Sequence, residues 1–201
     1  MSKILSHFSI ILIAIMHLLV GLGNIGPEYE LTRHNFGFLL LDQIIKDYGF
    51  VAQSKKFKSD VFSGVIDGHK VVAIKPHTFM NRSGLAVFDA ANFYKIELKN
   101  ILVLHDDLDL SLGKVRVKVG GGSAGHNGLK SIDEAMGKEY MRLRLGIGRP
   151  ENKDFETADY VLGRFSKDEM LQVEKTNEKI SDLIDEIFAN KVDGFLNKFY
   201  L

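Results

Sequence analysis

The 201-residue chain is predicted to fold as a single α/β domain, in which helices flank a central mixed, twisted β-sheet. Its length is that of one domain, since domains usually run to about 100–200 residues. Apolar strands alternate along the chain with stretches of helical periodicity, the order typical of α/β proteins. A composition of 45% hydrophobic and 26% charged residues argues against disordered, fibrous and coiled-coil classes.

The predicted elements follow one another from residue 18 onward. Residues 18–22 are a buried strand, and residues 35–48 carry apolar side chains at helical spacing. Asp67-Gly68 stands between two apolar segments and is a strong signal for a two-residue hairpin turn. Ser166 and Glu169 form a capping box, which predicts a helix from there to about residue 190. The other predicted elements are strands at 61–66, 70–74, 101–104, 114–119 and 141–147, and helices at 84–94, 125–136 and 193–199.

Residues 8–20 are almost continuously apolar. The uninterrupted part, residues 10–16, is seven residues long, whereas a membrane-spanning helix needs roughly 20. No small-residue cleavage site follows it, as a secretory signal would require. We therefore expect residues 1–15 to be an extension ahead of a natural start at Met16, with the domain at 16–201. A membrane tether is the alternative interpretation.

Composition and charge exclude some classes of site and suggest another. The chain has no cysteine, which excludes disulfides, thiolate zinc sites and cysteine nucleophiles. Its net charge is 0, yet residues 113–149 hold eight basic and three acidic residues, and residues 151–201 hold seven basic and twelve acidic ones. Within the basic stretch, cationic and aliphatic residues alternate at 114–119 and 142–145, which places each basic set on the outward face of its strand and each aliphatic set on the buried face. We expect a cationic surface for phosphate, although ordinary solvated strand faces are the alternative.

Gly21, Gly23 and Gly26 match the GxGxxG pattern directly after a strand, and Asp42 lies near the position of a ribose-binding acid. In a dinucleotide fold the glycines open a helix, and the acid ends the next strand. Here Pro27 follows the glycines, and Asp42 lies within a helical pattern. We interpret the motif as a tight strand-to-loop turn, which leaves a dinucleotide-dependent oxidoreductase as a distant alternative.

Two further segments concentrate polar chemistry. Residues 105–109, His-Asp-Asp-Leu-Asp, follow an apolar strand, and sites in α/β sheets gather at the carboxyl ends of strands. Such a cluster can orient a histidine or bind a metal. The glycine-rich residues 120–128 are typical of a loop that lets a ligand approach the backbone. One hypothesis from these residues alone is a metal-dependent hydrolase using His105, Asp106, Asp109 and His126.

Taken together, six segments resemble the bacterial peptidyl-tRNA hydrolases. The resemblance runs in order from about Met16 to the C-terminus. One departure is Ile25, where the family usually has proline. The matching segments are GLGN at 21–24, Tyr29 with TRHN at 32–35, KPHTFMN at 75–81, HDDLDL at 105–110, GGGSAGHNGL at 120–129 and RLRLGIGRP at 142–150.

The resemblance implies cleavage of the ester that joins a peptide to the ribose of tRNA. His34 matches the family's general base, and histidine suits that role because its ordinary pKa is about 6.5. Asp106 matches the carboxylate that orients this histidine, and Asn24 matches a residue that distinguishes peptidyl from free aminoacyl ends. The remaining matches are Asn81 and Asn127 for the peptide backbone and the water or oxyanion, Tyr29 and Phe79 for the end of the tRNA, and Lys118 and Arg144 for a tRNA phosphate.

The resemblance also implies a metal-independent reaction without a cofactor, peptidyl-tRNA as the partner, no membrane partner, a monomer and a cytoplasmic location. A non-catalytic RNA-binding relative of the same fold is the alternative. The presence of His34, Asp106 and the three matching asparagines argues against that alternative.

Overall fold

A computed structural model describes residues 15–150, 152 and 154–201, and these form one α/β domain, as predicted. Seven strands make a single mixed sheet in the order β2-β3-β4-β1-β5-β7-β6. The strands are β1 Met16–Gly21, β2 Val51–Ala52, β3 Ser59–Ile66, β4 His69–Pro76, β5 Ile101–Asp107, β6 Val115–Val119 and β7 Met141–Gly146. The helices are α1 Phe36–Asp47, α2 Ser83–Tyr94, α3 Asn127–Met136, α4 Thr157–Leu162, α5 Lys167–Ser181, α6 Ile184–Phe188 and α7 Val192–Tyr200.

The centre of the sheet is parallel and its edges are antiparallel. β1 pairs in parallel with β4 and β5, and β5 pairs in parallel with β7. The additional strands β3 and β6 pair antiparallel with β4 and β7. The carboxyl ends of the central parallel strands therefore meet at one edge of the sheet, the usual position of ligand sites in α/β proteins.

Each face of the sheet carries its own apolar core, because successive side chains of a strand point to opposite faces. Leu19, Leu102 and Leu104 belong to the core that α1 and α5 complete. Leu18 and Val103 belong to the other core, which α2 and α3 complete. The apolar segments of β1 and β5 are buried because both faces are covered.

Two local signals in the sequence are confirmed. Asp67 and Gly68 have φ values of 43° and 80°, the left-handed conformations that a type I′ hairpin requires. The Ser166 hydroxyl accepts from the Glu169 backbone, and the Glu169 carboxylate accepts from the Ser166 N–H, so the capping box is present. The bounds of the predicted strands, and of the other predicted helices, agree with the structure to within three residues.

β5 is longer than predicted and contains His105, Asp106 and Asp107, which were expected to follow it. Pairing with β7 continues to Asp107 opposite Gly146, and this pairing keeps the polar residues in the strand. As a result His105 and Asp107 lie on one face of the sheet and Asp106 lies on the other.

The single helix predicted from Ser166 to about residue 190 is wrong, because it is divided into α5 and α6. At the break, the Ser181 hydroxyl bonds to Asp47 at 2.7 Å and its carbonyl accepts from the Tyr48 hydroxyl at 3.1 Å. The change of direction buries Ile184 and Ile187 in the core. The sequence patterns gave no indication of β2 and α4, which are two and six residues long.

The predicted N-terminal extension lies outside the described residues, apart from Ile15, which is exposed. Within the part of the chain that the structure describes, no helix is long and apolar enough to cross a membrane.

Candidate active site

The candidate site lies at the carboxyl ends of β1 and β5. The chain leaves β1 and turns at the 3-10 helix Arg33–Asn35, which carries His34, before α1 begins. α1 packs against the sheet through Gly37, where a Cβ atom would lie 2.3 Å from the Leu104 carbonyl oxygen. Glycine is needed for this close approach. It brings His34 next to Asp106 at the end of β5.

His34 and Asp106 form a buried pair. His34 Nδ1 lies 2.9 Å from Asp106 Oδ1, and the two residues are 8% and 4% exposed. An ionised carboxylate can only accept, so Nδ1 carries the hydrogen and Nε2 keeps its lone pair. His34 also lines a cavity of about 250 Å³, whose wall includes Leu108, Asn127 and Val161. The pair therefore has the arrangement of a general base and the group that orients it.

The electrostatics of the pair favour a charged histidine. Burial alone lowers the pKa of His34, but the Asp106 charge and hydrogen bond outweigh burial and raise this pKa above its usual value. Burial raises the pKa of Asp106, yet contacts with His34 and His126 more than reverse this and hold the pKa far below its usual range. Asp106 is thus a fixed negative charge that stabilises the imidazolium when it forms.

Two other histidines surround the same carboxylate. His126 Nε2 lies 3.1 Å from Asp106 Oδ1, the oxygen that His34 also contacts. His105 Nδ1 donates to the backbone carbonyl of Asp106 at 2.7 Å. Burial, assisted by His126, lowers the pKa of His105 to about 3, so His105 is neutral.

The metal set that the sequence suggested does not converge. Asp109 is directed to Arg149, whose Nη2 lies 2.6 Å from its carboxylate. The group of potential ligands in the described residues is instead His34, Asp106 and His126, with ligand atoms within 4.8 Å of one another. In this group both imidazole nitrogens that face Asp106 share its Oδ1 through hydrogen bonds.

Asn24 lies just after β1, in the segment that leads to the 3-10 helix Arg33–Asn35, and a second hydrogen-bond network holds it there. Its Oδ1 accepts from the Met80 backbone N–H at 3.0 Å, which leaves the amide nitrogen to donate elsewhere. Asn35 fixes the backbone of Asn24 from both sides, with bonds of 2.8 and 2.9 Å. The sequence motif gave Asn35 no role, although it stands beside His34.

The other predicted substrate residues are distributed around this centre. Asn127 is the first residue of α3 and lines the cavity that holds His34. Asn81 lies in the 3-10 helix Met80–Arg82 that precedes α2, and Phe79 lies directly before this helix. Both are exposed, whereas Tyr29 is half-buried in the turn before His34. Among the described residues, these last three are not part of the cavity wall. The structure therefore groups Asn127 with His34 and Asp106, while Asn81, Phe79 and Tyr29 lie outside.

Lys118 and Arg144 line a second cavity of about 290 Å³ beside the glycine-rich loop. Arg144 Nε lies 2.5 Å from Asp107 Oδ2, while Lys118 is exposed. The two cations therefore lie together on the face of the sheet that also carries His105 and Asp107.

The prediction that every basic residue of these strands lies on an outward face is wrong for Arg142. Its side chain is only 2% exposed and pairs with Asp133 of α3 at 2.7 Å. It also donates to the carbonyl of Gly122, which anchors the glycine-rich loop. The physical reason is that α3 covers this part of the sheet and supplies the counter-charge. Val119, predicted to be buried, is 54% exposed at the end of β6.

α4, which the sequence patterns did not indicate, completes the cavity wall with Thr157, Ala158 and Val161. Arg33 connects α4 to the site, because its guanidinium lies 4.5 Å from the Tyr160 ring and bonds to both oxygens of Glu169. The sequence motifs gave Arg33 no role. The only feature of the sequence that could have indicated one is its position directly before His34.

The chain is similar to known proteins over most of its length. A family model described as peptidyl-tRNA hydrolase matches residues 18–200. The chain is 50% identical over 182 residues to the peptidyl-tRNA hydrolase of Wolbachia pipientis wMel, covering 90% of this chain and 98% of the relative. It is 47% identical over 184 residues to that of Rickettsia bellii (strain RML369-C), covering 91% and 99%.

Among solved structures, the peptidyl-tRNA hydrolase of Acinetobacter baumannii superposes with a TM-score of 0.86 at 37% identity. The match covers 92% of this chain and 95% of the other. The sequence family and the fold therefore agree over nearly the whole length, and the chain belongs to the peptidyl-tRNA hydrolase family.

Proposed function

We propose that His34 acts as the general base in metal-independent hydrolysis of the ester between a peptide, or an N-blocked aminoacyl group, and tRNA. The observation that carries this proposal is the buried contact of 2.9 Å between His34 Nδ1 and Asp106, which leaves the Nε2 lone pair to act as a base beside a cavity. The reaction would recycle tRNA from peptidyl-tRNAs released by ribosomes.

The chemistry follows from this tautomer. His34 Nε2 takes a proton from water as the water oxygen attacks the ester carbonyl, and Asp106 stabilises the imidazolium. The tetrahedral intermediate collapses with cleavage of the ester bond, and the same proton passes to the departing ribose oxygen. The products are a tRNA with a free ribose hydroxyl and a peptide carboxylic acid, which releases its remaining proton to solvent as the carboxylate forms. An ester releases an alkoxide readily enough that neither a covalent nucleophile nor a metal is required.

Three asparagines supply uncharged hydrogen bonds around the carbonyl and the peptide. The Asn24 amide nitrogen can donate to the substrate because the amide oxygen already accepts from Met80. Asn127 lies in the cavity wall next to His34, where it can bind the attacking water or the oxyanion. Asn81 is exposed beside Met80, and in the proposed mechanism it contacts the peptide backbone.

The tRNA is held on the other side of β5. Lys118 and Arg144 line one cavity together with Arg142 and Asp107. This cavity suits a phosphate because its three cations outnumber its one carboxylate. Phe79 is 63% exposed, and it can stack against the end of the tRNA together with Tyr29. We further propose that the enzyme acts as a cytoplasmic monomer, which cell fractionation and light scattering would check.

The test is hydrolysis of an N-blocked aminoacyl-tRNA by the wild type, His34→Ala and His69→Ala. His69 is a suitable control because it begins β4, at the end of the sheet away from the site. We expect His34→Ala to lower kcat by at least about 10²-fold, the usual scale for loss of a general base. His69→Ala should retain activity.

Hydrolysis by His34→Ala at the wild-type rate would refute the mechanism. Assays with a chelator distinguish the proposed reaction from the metal-dependent alternative. The chelator should leave the rate of the proposed reaction unchanged, whereas it should abolish a metal-dependent one. A protein that binds peptidyl-tRNA but never hydrolyses it would instead be the non-catalytic relative.

A further inference from the structure

His126 connects two hydrogen-bond systems. It is the N-cap residue of α3, and its Nδ1 accepts from the backbone N–H groups of Gly128 and Leu129 at 3.1 and 3.3 Å. Its Nε2 lies 3.1 Å from Asp106 Oδ1. Asparagine, aspartate, serine and threonine are the usual N-cap residues, so a histidine at this position calls for a second role.

These contacts fix the tautomer of the His126 ring. Nδ1 must keep a lone pair to accept from two N–H groups, so the hydrogen of the neutral ring lies on Nε2. That hydrogen points at a carboxylate oxygen, a favourable arrangement. A proton added at Nδ1 would face the backbone N–H groups of Gly128 and Leu129, which now donate to this nitrogen. While the cap is intact, His126 is therefore a hydrogen-bond donor to Asp106.

We propose that His126 is a positioning residue, held by the cap as the Nε2–H tautomer, which shares Asp106 Oδ1 with His34 and so sets the basicity of His34. The inference rests on the proposed function of His34 as the base. His126 does not touch the reacting atoms and acts only through Asp106.

The direction of the effect follows from the shared oxygen. The His34 and His126 rings are 4.8 Å apart, and both direct an N–H at Asp106 Oδ1. The positive end of the His126 N–H dipole therefore lies close to the His34 N–H and disfavours an additional charge on His34. Without His126, His34 should take up a proton more readily and its pKa should rise. Water entering the vacated space would shift this pKa in the same direction.

The other titratable groups in the described wall of the cavity already have hydrogen-bond or ion-pair partners. His105 donates to the Asp106 carbonyl, and Asp107 and Asp109 pair with Arg144 and Arg149. The wall that α4 contributes is uncharged, since its lining residues are Thr157, Ala158 and Val161. Asp106 and His126 are thus the groups through which the protonation of His34 is controlled.

Two substitutions separate the capping role from the donor role. His126→Asn keeps a good N-cap residue but is too short to reach Asp106, whereas His126→Leu removes both contacts. We expect the midpoint of His34 protonation to rise in both variants by up to about one pH unit, the ordinary spread of histidine pKa values in folded proteins. The thermal midpoint should fall in His126→Leu and stay near the wild-type value in His126→Asn.

The measurement is ¹⁵N NMR of the imidazole nitrogens as a function of pH, alongside the pH profile of hydrolysis. In the wild type, His126 should show an unprotonated Nδ1 and a protonated Nε2. A hydrogen on Nδ1, or an unshifted His34 midpoint in His126→Asn, would overturn the proposal. A midpoint that moves only in His126→Leu would mean that His126 is simply a cap.

This experiment is independent of the general-base proposal. Should His34→Ala remain active, the mechanism fails, yet the NMR titration still reports whether His126 controls the protonation of His34. Conversely, an inactive His34→Ala variant combined with unchanged titration in both His126 variants would leave the mechanism standing and remove only the inference about His126.

Discussion

Asp106 and Asp107 are consecutive residues of β5, yet they serve opposite faces of the sheet. Asp106 is buried among imidazoles, 2.9 Å from His34 and 3.1 Å from His126. Asp107 is also buried but pairs with the guanidinium of Arg144 at 2.5 Å. Because side chains alternate along a strand, a step of one residue separates a site suited to proton transfer from a site suited to phosphate. Ester chemistry and tRNA recognition should therefore respond separately to substitution.

The strongest impairment is expected from Asp106→Asn. This change keeps the shape of the side chain but removes the charge that stabilises the imidazolium, so kcat should fall by about 10²-fold or more. The loss should be similar for whole peptidyl-tRNA and for a short ester substrate without the tRNA body, because both require the same base. Steady-state assays on the two substrates check this, and a loss confined to the whole tRNA would place Asp106 in recognition instead.

A weaker and more selective impairment is expected from replacing both Lys118 and Arg144 by alanine. KM for whole peptidyl-tRNA should rise, and the slope of its logarithm against the logarithm of salt concentration should fall by about one for each phosphate that the protein no longer binds. The short substrate should be almost unaffected. Lys114→Ala is the matched control, since Lys114 is basic and exposed but does not line this cavity. Equal losses on both substrates would show that the pair is structural.

The mildest change in rate, accompanied by a change in selectivity, is expected from Asn24→Asp. A carboxylate attracts the free ammonium of an aminoacyl end, which the neutral amide does not, so the preference for N-blocked over free aminoacyl-tRNA should decrease. The ratio of kcat/KM for the two substrates is the measurement. If that ratio stays at the wild-type value, Asn24 does not discriminate between them.

Much of the fold could be predicted because its signals are local. Asp67-Gly68 specifies its own turn, and Ser166 with Glu169 specifies its own helix start. The apolar strands β1 and β5 are recognisable because both of their faces are buried. By contrast, the division between α5 and α6 depends on Asp47 and Tyr48, which are more than 130 residues away in the chain.

The same distinction holds for the site. The motifs around His34 and Asp106 identify both residues, but their contact joins positions 72 residues apart, and only the folded chain brings them together. The burial of Arg142 could not be read from the alternation of β7, because Asp133 of α3 supplies its partner. The roles of Asn35 and His126 likewise depend on bonds to other segments of the chain.

In the proposed mechanism Asp106, and not its neighbour Asp107, controls the protonation of His34. The decisive experiment is the pH dependence of kcat/KM for the short substrate in the wild type, Asp106→Asn and Asp107→Asn. Because the base must be neutral, the acidic limb follows the pKa of His34, which Asp106 raises above its ordinary value against the opposing effect of burial. The limb should therefore move to lower pH in Asp106→Asn and stay in place in Asp107→Asn. An unmoved limb in Asp106→Asn, or an equal movement in both variants, would show that Asp106 has no such control.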